Sequence, residues 1–359
     1  MVAPTAIRSL SVRDLNIPLT APFGIAGGAQ DIARNLLVTV ELADGTRGYG
    51  EAAPFPAFNG ETQDAARDAI NAIRVKIEGA DVREWRQIGL VVRREITKAA
   101  SARCAIETAL LDALTRRAQL PLWVYFGGAS RTLETDMTIT TGSVDEAITA
   151  ALDIQQRGIQ TIKIKIGAGD LQLDIERIIA VHNVVPDAPI LLDGNGGLSA
   201  DSALNMLGAL HIQGVAPVLF EQPVPRDDWA GLRQVAQWGG VTVATDESVT
   251  TPAEALRLAF EHAAQVANIK LMKSGIMEGL EIFAICRAAG IGLMIGGMVE
   301  SILAMTTSAC FAAGLGGFRF VDLDTPMFMT ENPFIGGFEQ RGATLDLSNI
   351  TAGHGVTPR

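Results

Sequence analysis

Two patterns of apolar and polar positions follow one another along the chain. Residues 35–42 (N-L-L-V-T-V-E-L) alternate and are rich in β-branched side chains, Asp44-Gly45 is a turn signal, and Gly48-Tyr49-Gly50 resumes a strand. An antiparallel pair is predicted there. Behind Asp64, a candidate N-cap, Ala66, Ile70, Ile73 and Ile77 recur at helical spacing, and a second helix is predicted from Ser101 through Ile106, Leu110 and Leu111 to Ala118. Strands followed by helices predict a small two-layer α+β domain over residues 1–130.

From Glu134 the pattern changes to short apolar runs at 136–140, 161–166, 189–193, 217–221, 241–246, 266–271, 292–296 and 318–322, separated by helical stretches such as 171–182 and 253–260. Run ends at 165, 193, 221, 246 and 270 are spaced by 28, 28, 25 and 24 residues, the length of one βα unit. Eight such units close a parallel barrel, so an α/β barrel is expected over 131–324. The tail, 325–359, is expected to return to the first domain. An open doubly wound sheet is the alternative; it wants a glycine fingerprint after its first strand, and Gly194-Asn195-Gly196-Gly197-Leu198-Ser199 follows the third and ends in serine.

Composition narrows the function. Apolar residues make up 48% and charged residues 19%, which suits a compact aliphatic core. The net charge of −11 repels nucleic acid and anionic membrane surfaces, so neither is expected as a partner. Arg8 and Arg13 interrupt any leader-like apolar run, and the run at 291–299 falls short of the ~20 residues that span a bilayer. Cys104, Cys286 and Cys310 are too few and too widely spaced for a disulfide framework, so a cytoplasmic protein is expected. His182, His211, His262 and His354 are also far apart, which leaves oxygen ligands for any metal.

Chemistry in a barrel is placed at the C-terminal strand ends. The second run ends Lys163-Ile164-Lys165, the third in Asp193, the fourth in Glu221, the fifth in Asp246-Glu247, and the sixth carries Lys270. Three carboxylates on adjacent strands repel one another without a cation, and oxygen donors of this kind suit Mg²⁺. An amine beside a divalent cation and a second amine is pushed toward a lower pKa and can act as a base. Two such bases on either side of a carbon fit removal of an α-proton from one face and return of a proton to the other.

T-I-K-I-K, L-L-D, L-F-E-Q-P, A-T-D-E-S and N-I-K-L-M-K-S-G, with P-L-T-A-P-F and G-Y-G-E-A-A-P earlier in the chain, resemble the muconate-lactonizing subgroup of the enolase superfamily. The resemblance implies a capping domain on a modified (β/α)₇β TIM barrel, with Asp193, Glu221 and Asp246 as Mg²⁺ ligands and Lys165 and Lys270 as the acid/base pair. It further implies that Lys163 assists the substrate carboxylate, with Asn195 and Glu247 supporting the ligands. Asp322-Leu323-Asp324 on the last strand is similar to the motif by which dipeptide epimerases hold the substrate's α-ammonium, which implies a dipeptide epimerase. A dipeptide and further copies of the chain are the partners expected. The same machinery would also serve an o-succinylbenzoate synthase, an N-acylamino acid racemase or a muconate cycloisomerase, whose substrates lack that ammonium.

Two loops bear on specificity. Epimerases acting on Ala-Glu carry an arginine in the capping loop after P-F; the matching position is Gly28, and no Lys or Arg lies between Thr20 and Arg34. The second capping loop presents Phe55 and Phe58, and Met298 after Gly296-Gly297 is expected to line the side-chain pocket. With Thr138 taken as a further substrate contact, an apolar second residue is expected in the dipeptide.

Overall fold

Why the hairpin is longer than its alternating core is visible in its two faces. The computed structural model describes residues 3–25 and 28–359, and in it Ile7–Ile25 pairs antiparallel with Gly28–Leu42, which in turn pairs with Arg47–Ala52. Leu36, Val38, Val40 and Leu42 face the cap's own core, while Leu15, Ile17, Ala33 and Leu37 on the other face pack with Val299, Leu303, Phe334 and Val356. The sheet is therefore buried on one side by cap helices and on part of the other by the barrel. Pro18 and Pro22 and the charges between apolar positions concealed the first strand in the sequence.

The helices over this sheet are Gln63–Ile77, Trp85–Glu95 and Ala100–Arg117. The N-cap of the first is Thr62, whose Oγ1 accepts the Ala65 N–H at 3.2 Å; Asp64 lies one residue inside the helix, where its charge still favours the positive end. The glycines of G-Y-G have a steric reason. A Cβ at Gly48 or Gly50 would lie 2.1 or 2.0 Å from the carbonyl oxygens of Ala109 or Ala105, so only glycine lets the third helix lie this close to the strand.

Eight parallel strands follow in sequence order: Met137–Ile139, Ile162–Lys165, Ile190–Asp193, Leu219–Glu221, Val243–Thr245, Val266–Lys270, Gly292–Gly296 and Phe318–Val321. The first and last are joined where the Asp136 N–H donates to the Val321 carbonyl at 2.9 Å. Every run predicted from sequence is a strand of this sheet. Leu191, Leu219, Ala244, Val266, Met294 and Phe320 form an apolar layer inside it. All but Met294 lie two residues before a polar residue at or near the end of the same strand, so the layer is the floor on which the charged groups stand.

Two buried carboxylates of the cap bind the two halves of the molecule. Glu51 accepts the Ser301 and Ala304 N–H groups at 3.0 and 3.2 Å, at the start of the barrel helix Ile302–Leu315. Glu107 accepts the Ile276 and Met277 N–H groups at 2.6 and 3.0 Å, at the start of Ile276–Ala289. Those N–H groups have no partner within their own helices, and a carboxylate satisfies them and complements the helix dipole. The tail also reaches the cap, where the His354 N–H donates to buried Asp112 at 3.0 Å.

Glu107→Ala should leave two buried N–H groups without an acceptor and cost about 1–3 kcal/mol of stability. Replacing exposed Glu331 by alanine should change it by no more than about 0.5 kcal/mol. Thermal unfolding of the two variants checks this; equal transition temperatures would contradict the capping role.

Candidate active site

Strand register puts the charged groups in a row. Lys165 is opposite Asp193 and Asp193 is opposite Glu221, so side chains from the second, third and fourth strands project at one level toward the cap. Strands two and six lie across the barrel from each other, which sets Lys165 and Lys270 on opposite sides of the mouth. Asp193, Glu221 and Asp246 fill the arc between them, and Asp322 and Asp324, just past the end of the eighth strand, face that arc. All of these side chains are buried.

The lysines and carboxylates are tightly engaged. Lys165 Nζ donates to Asp193 Oδ2 at 2.6 Å and to Asn195 Oδ1 at 3.1 Å, and Asn195 Nδ2 donates to Glu247 Oε1 at 3.3 Å. Lys270 Nζ donates to Asp246 Oδ2 at 2.7 Å and lies 5.9 Å from the centre of the Phe58 ring. Lys163 Nζ donates to Asp322 Oδ2 at 2.7 Å and lies 2.9 Å from Asp193 and 2.7 Å from Glu221 Oε2. The last approach is too oblique for a hydrogen bond, and Glu221 Oε2 is left without a donor.

Burial pushes these ionisable groups in opposite directions. Burial would lower the Lys163 and Lys270 pKa values, but the neighbouring charges, led by Asp193 for Lys163 and by Asp246 for Lys270, outweigh it and hold both ammonium groups well above the usual lysine range. The lowered pKa that the sequence led us to expect is therefore not what this charge set produces alone; added positive charge among the carboxylates would be needed. Burial works against ionisation of Asp246, yet Lys270 and Lys273 hold it at about 2. Glu247, buried beside the charges of Asp246 and Asp193, is pushed up to about 8. Burial and the Asp322 charge likewise raise Asp324 to about 7.

The residues fit a divalent cation. Asp193, Glu221 and Asp246 are hard oxygen donors from three successive strands, completely buried, and Glu221 Oε2 has an unfilled acceptor position. Supporting groups hold them in place. Asn268 Nδ2 donates to Glu221 Oε1 at 2.6 Å, Lys273 Nζ to Asp246 Oδ1 at 2.7 Å, and Gln222 Oε1 accepts the Asp246 N–H at 2.9 Å. Sequence reasoning did not single out these three. Asn268 could have been found, because it precedes Lys270 by two residues on the same strand and so shares its face.

A narrow cavity of about 20 Å³ lies over the row, lined by Phe23, Phe55, Thr138, Lys165, Asn195, Lys270, Gly297, Met298, Asp322, Asp324 and Thr325. Of the predicted substrate contacts, Thr138, Met298, Phe55 and the two aspartates line it. Lys163, Phe58 and Gly28 do not: Lys163 is enclosed by Asp193, Glu221 and Asp322, Phe58 is turned to Lys270, and Gly28 sits where the cap hairpin pairs with Ile25, nearest to Ala57. Phe23 was missed as a wall residue, although P-F in the first capping loop was its signal.

Residues 146–359 match the family model described as enolase C-terminal domain-like, and residues 7–127 match that of the mandelate racemase / muconate lactonizing enzyme N-terminal domain. An aromatic dipeptide epimerase of Herpetosiphon aurantiacus is 53% identical over 98% of this chain and 99% of its own length. A mandelate racemase/muconate lactonizing enzyme from Roseiflexus sp. superposes with a TM-score of 0.96 at 60% identity, covering 100% of this chain and 99% of the other. The dipeptide epimerase of Enterococcus faecalis, in complex with Mg and L-Leu-L-Tyr, superposes with a TM-score of 0.94 at 32% identity, covering 98% of this chain and 99% of the other. With both of its parts matched over nearly their full length, the chain belongs to the mandelate racemase / muconate lactonizing enzyme family of the enolase superfamily.

Proposed function

We propose that this protein is a Mg²⁺-dependent dipeptide epimerase that inverts the α-carbon of the C-terminal residue by moving a proton between two lysines. The observation that carries the reading is the opposition of Lys165 and Lys270 across the barrel mouth, with a carboxylate arc on one side and Asp322 and Asp324 on the other. A dipeptide would lie there with its carboxylate toward the arc and its ammonium toward the aspartates. Its C-terminal α-carbon then lies between the two amines.

One lysine removes the α-proton and the other returns a proton to the opposite face. Asp193 and Asn195 orient the Lys165 amine, and Asp246 orients Lys270. Mg²⁺ held by Asp193, Glu221 and Asp246 would supply positive charge next to the substrate carboxylate, where negative charge develops as the proton leaves. The cap closes the mouth with Phe23 and Phe55 and keeps water from the amines.

The name of the aromatic dipeptide epimerase, 53% identical to this chain, supports an apolar side chain on the second residue, and so do the walls of the cavity. Phe23, Phe55 and Met298 are apolar, and no arginine lines it among the described residues. A glutamate side chain buried there would lack the bidentate partner that offsets its desolvation. The aspartates disfavour the synthase and cycloisomerase readings, since a substrate without an ammonium would leave buried Asp322 and Asp324 facing no cation but Lys163.

Lys165→Ala and Lys270→Ala should each lower epimerisation by about 10²–10⁴-fold. Each variant should retain α-proton exchange in D₂O from one diastereomer, a different one in each case; retained epimerisation in either would contradict the two-base assignment. Chelation by EDTA should abolish activity and Mg²⁺ should restore it, whereas full activity after chelation would rule out the carboxylate arc as a cation site. Across a dipeptide library, Ala-Phe or Ala-Leu should exceed Ala-Glu by at least about tenfold in kcat/KM, or roughly 1.4 kcal/mol. The reverse order would overturn the apolar pocket.

A further inference from the structure

One buried carboxyl group beneath the mouth takes no part in the chemistry above. Asp136 stands at the start of the first barrel strand, two residues before Thr138 and on the same face. Its N–H closes the barrel against Val321, which brings its side chain beside Asp322. Asp136 is 2% exposed, and neither of its carboxylate oxygens has a hydrogen-bond donor. One oxygen from each of Asp136, Asp322 and Asp324 falls in a cluster with all separations within 4.8 Å.

The other groups around the cluster are committed elsewhere. Lys163 Nζ touches Asp322 at 2.7 Å but divides its charge with Asp193 and Glu221. The Thr138 N–H goes to Asp324 Oδ2 at 2.7 Å. No ammonium, guanidinium or amide among the described residues is left for Asp136, and a third full negative charge at this depth would be opposed by both neighbours. Burial and the charge of Asp322 favour the protonated form and outweigh the opposing charge of Lys163.

We propose that Asp136 is a positioning residue of the cation subsite: its carboxyl carries a proton, donates it to Asp322, and so holds Asp322 and Asp324 with oxygens turned toward the dipeptide's ammonium. This rests on reading those two aspartates as the ammonium subsite. With Asp136 neutral, less negative charge is left unpaired beside Lys163, which also serves Asp193 and Glu221, and the substrate amine pairs what remains. A substrate lacking the ammonium leaves that charge unpaired.

The test compares Asp136→Ala, Asp136→Asn and Asp322→Asn in steady-state epimerisation of Ala-Phe, with infrared difference spectra of the Mg²⁺-loaded enzyme at pH 7. Asp322→Asn should raise KM at least tenfold, which tests the subsite reading by itself. Asp136→Ala should raise KM about tenfold with kcat within about threefold. Asparagine is neutral, nearly isosteric and still a donor, and should restore KM to within about threefold of the native value. The native-minus-Asp136→Asn spectrum should contain the C=O stretch of a protonated carboxylic acid. Asparagine as damaging as alanine, an unchanged KM in Asp136→Ala, or a spectrum holding only carboxylate bands would overturn the inference. If Asp136→Ala does not fold, the asparagine kinetics and the spectrum decide it. If Asp322→Asn leaves KM unchanged, the ammonium subsite itself is refuted, and Asp136 loses its positioning role with it.

Discussion

Carboxylates outnumber ammonium groups at the mouth of this barrel, and both are buried. Asp193, Glu221, Asp246, Glu247, Asp322, Asp324 and Asp136 share Lys163, Lys165, Lys270 and Lys273, all of them at most modestly exposed. A buried charge is tolerated only when paired, and part of the excess is relieved by protonation, since burial and neighbouring charges raise Asp136, Glu247 and Asp324. On the proposed reading, a divalent cation at one end and an ammonium at the other pair the carboxylates that stay ionised. Every feature of the fold that matters for function serves to hold this set in place.

The fold does so by layers. Below the charges, the apolar layer from Leu191 to Phe320 gives each strand end a rigid base. Above them, the cap is fastened to the barrel by Glu51 and Glu107, each on a helix N-terminus. Those two helices begin shortly after Met298 and the segment Lys270–Lys273. The same contacts that fix the cap thus fix one wall of the substrate cavity and one of the two bases. Separation of cap and barrel would cost both carboxylates their N–H partners and would expose the apolar face around Leu15, Ile17 and Leu37.

Most of the barrel was legible because burial leaves little freedom. A run such as Ile162–Lys165 or Leu219–Glu221 is short, apolar and ends in a charge, and the 24–28 residue spacing of the ends repeats one βα unit. Period two then set both lysines of I-K-I-K on one face. What escaped notice depended on contacts distant in sequence. Asp136 carries no role in the sequence until Val321 is placed opposite it, and Lys273 none until Asp246 is brought against it. Phe58 and Gly28 were set in the pocket by their place in capping loops, but loop conformation is not written in periodicity: Phe58 packs against Lys270 without lining the cavity, and Gly28 lies nearest to Ala57. Thr62 rather than Asp64 caps its helix because the backbone leaves the helical region at that residue.

The account stands or falls on where a proton leaves the substrate. Proton NMR of Ala-Phe in D₂O with the native enzyme and Mg²⁺ follows both α-protons at once. The account predicts loss of the phenylalanine α-proton signal together with growth of the second diastereomer, while the alanine α-proton stays protonated. Exchange at the alanine α-carbon instead, or no exchange with any dipeptide of apolar second residue, would contradict it.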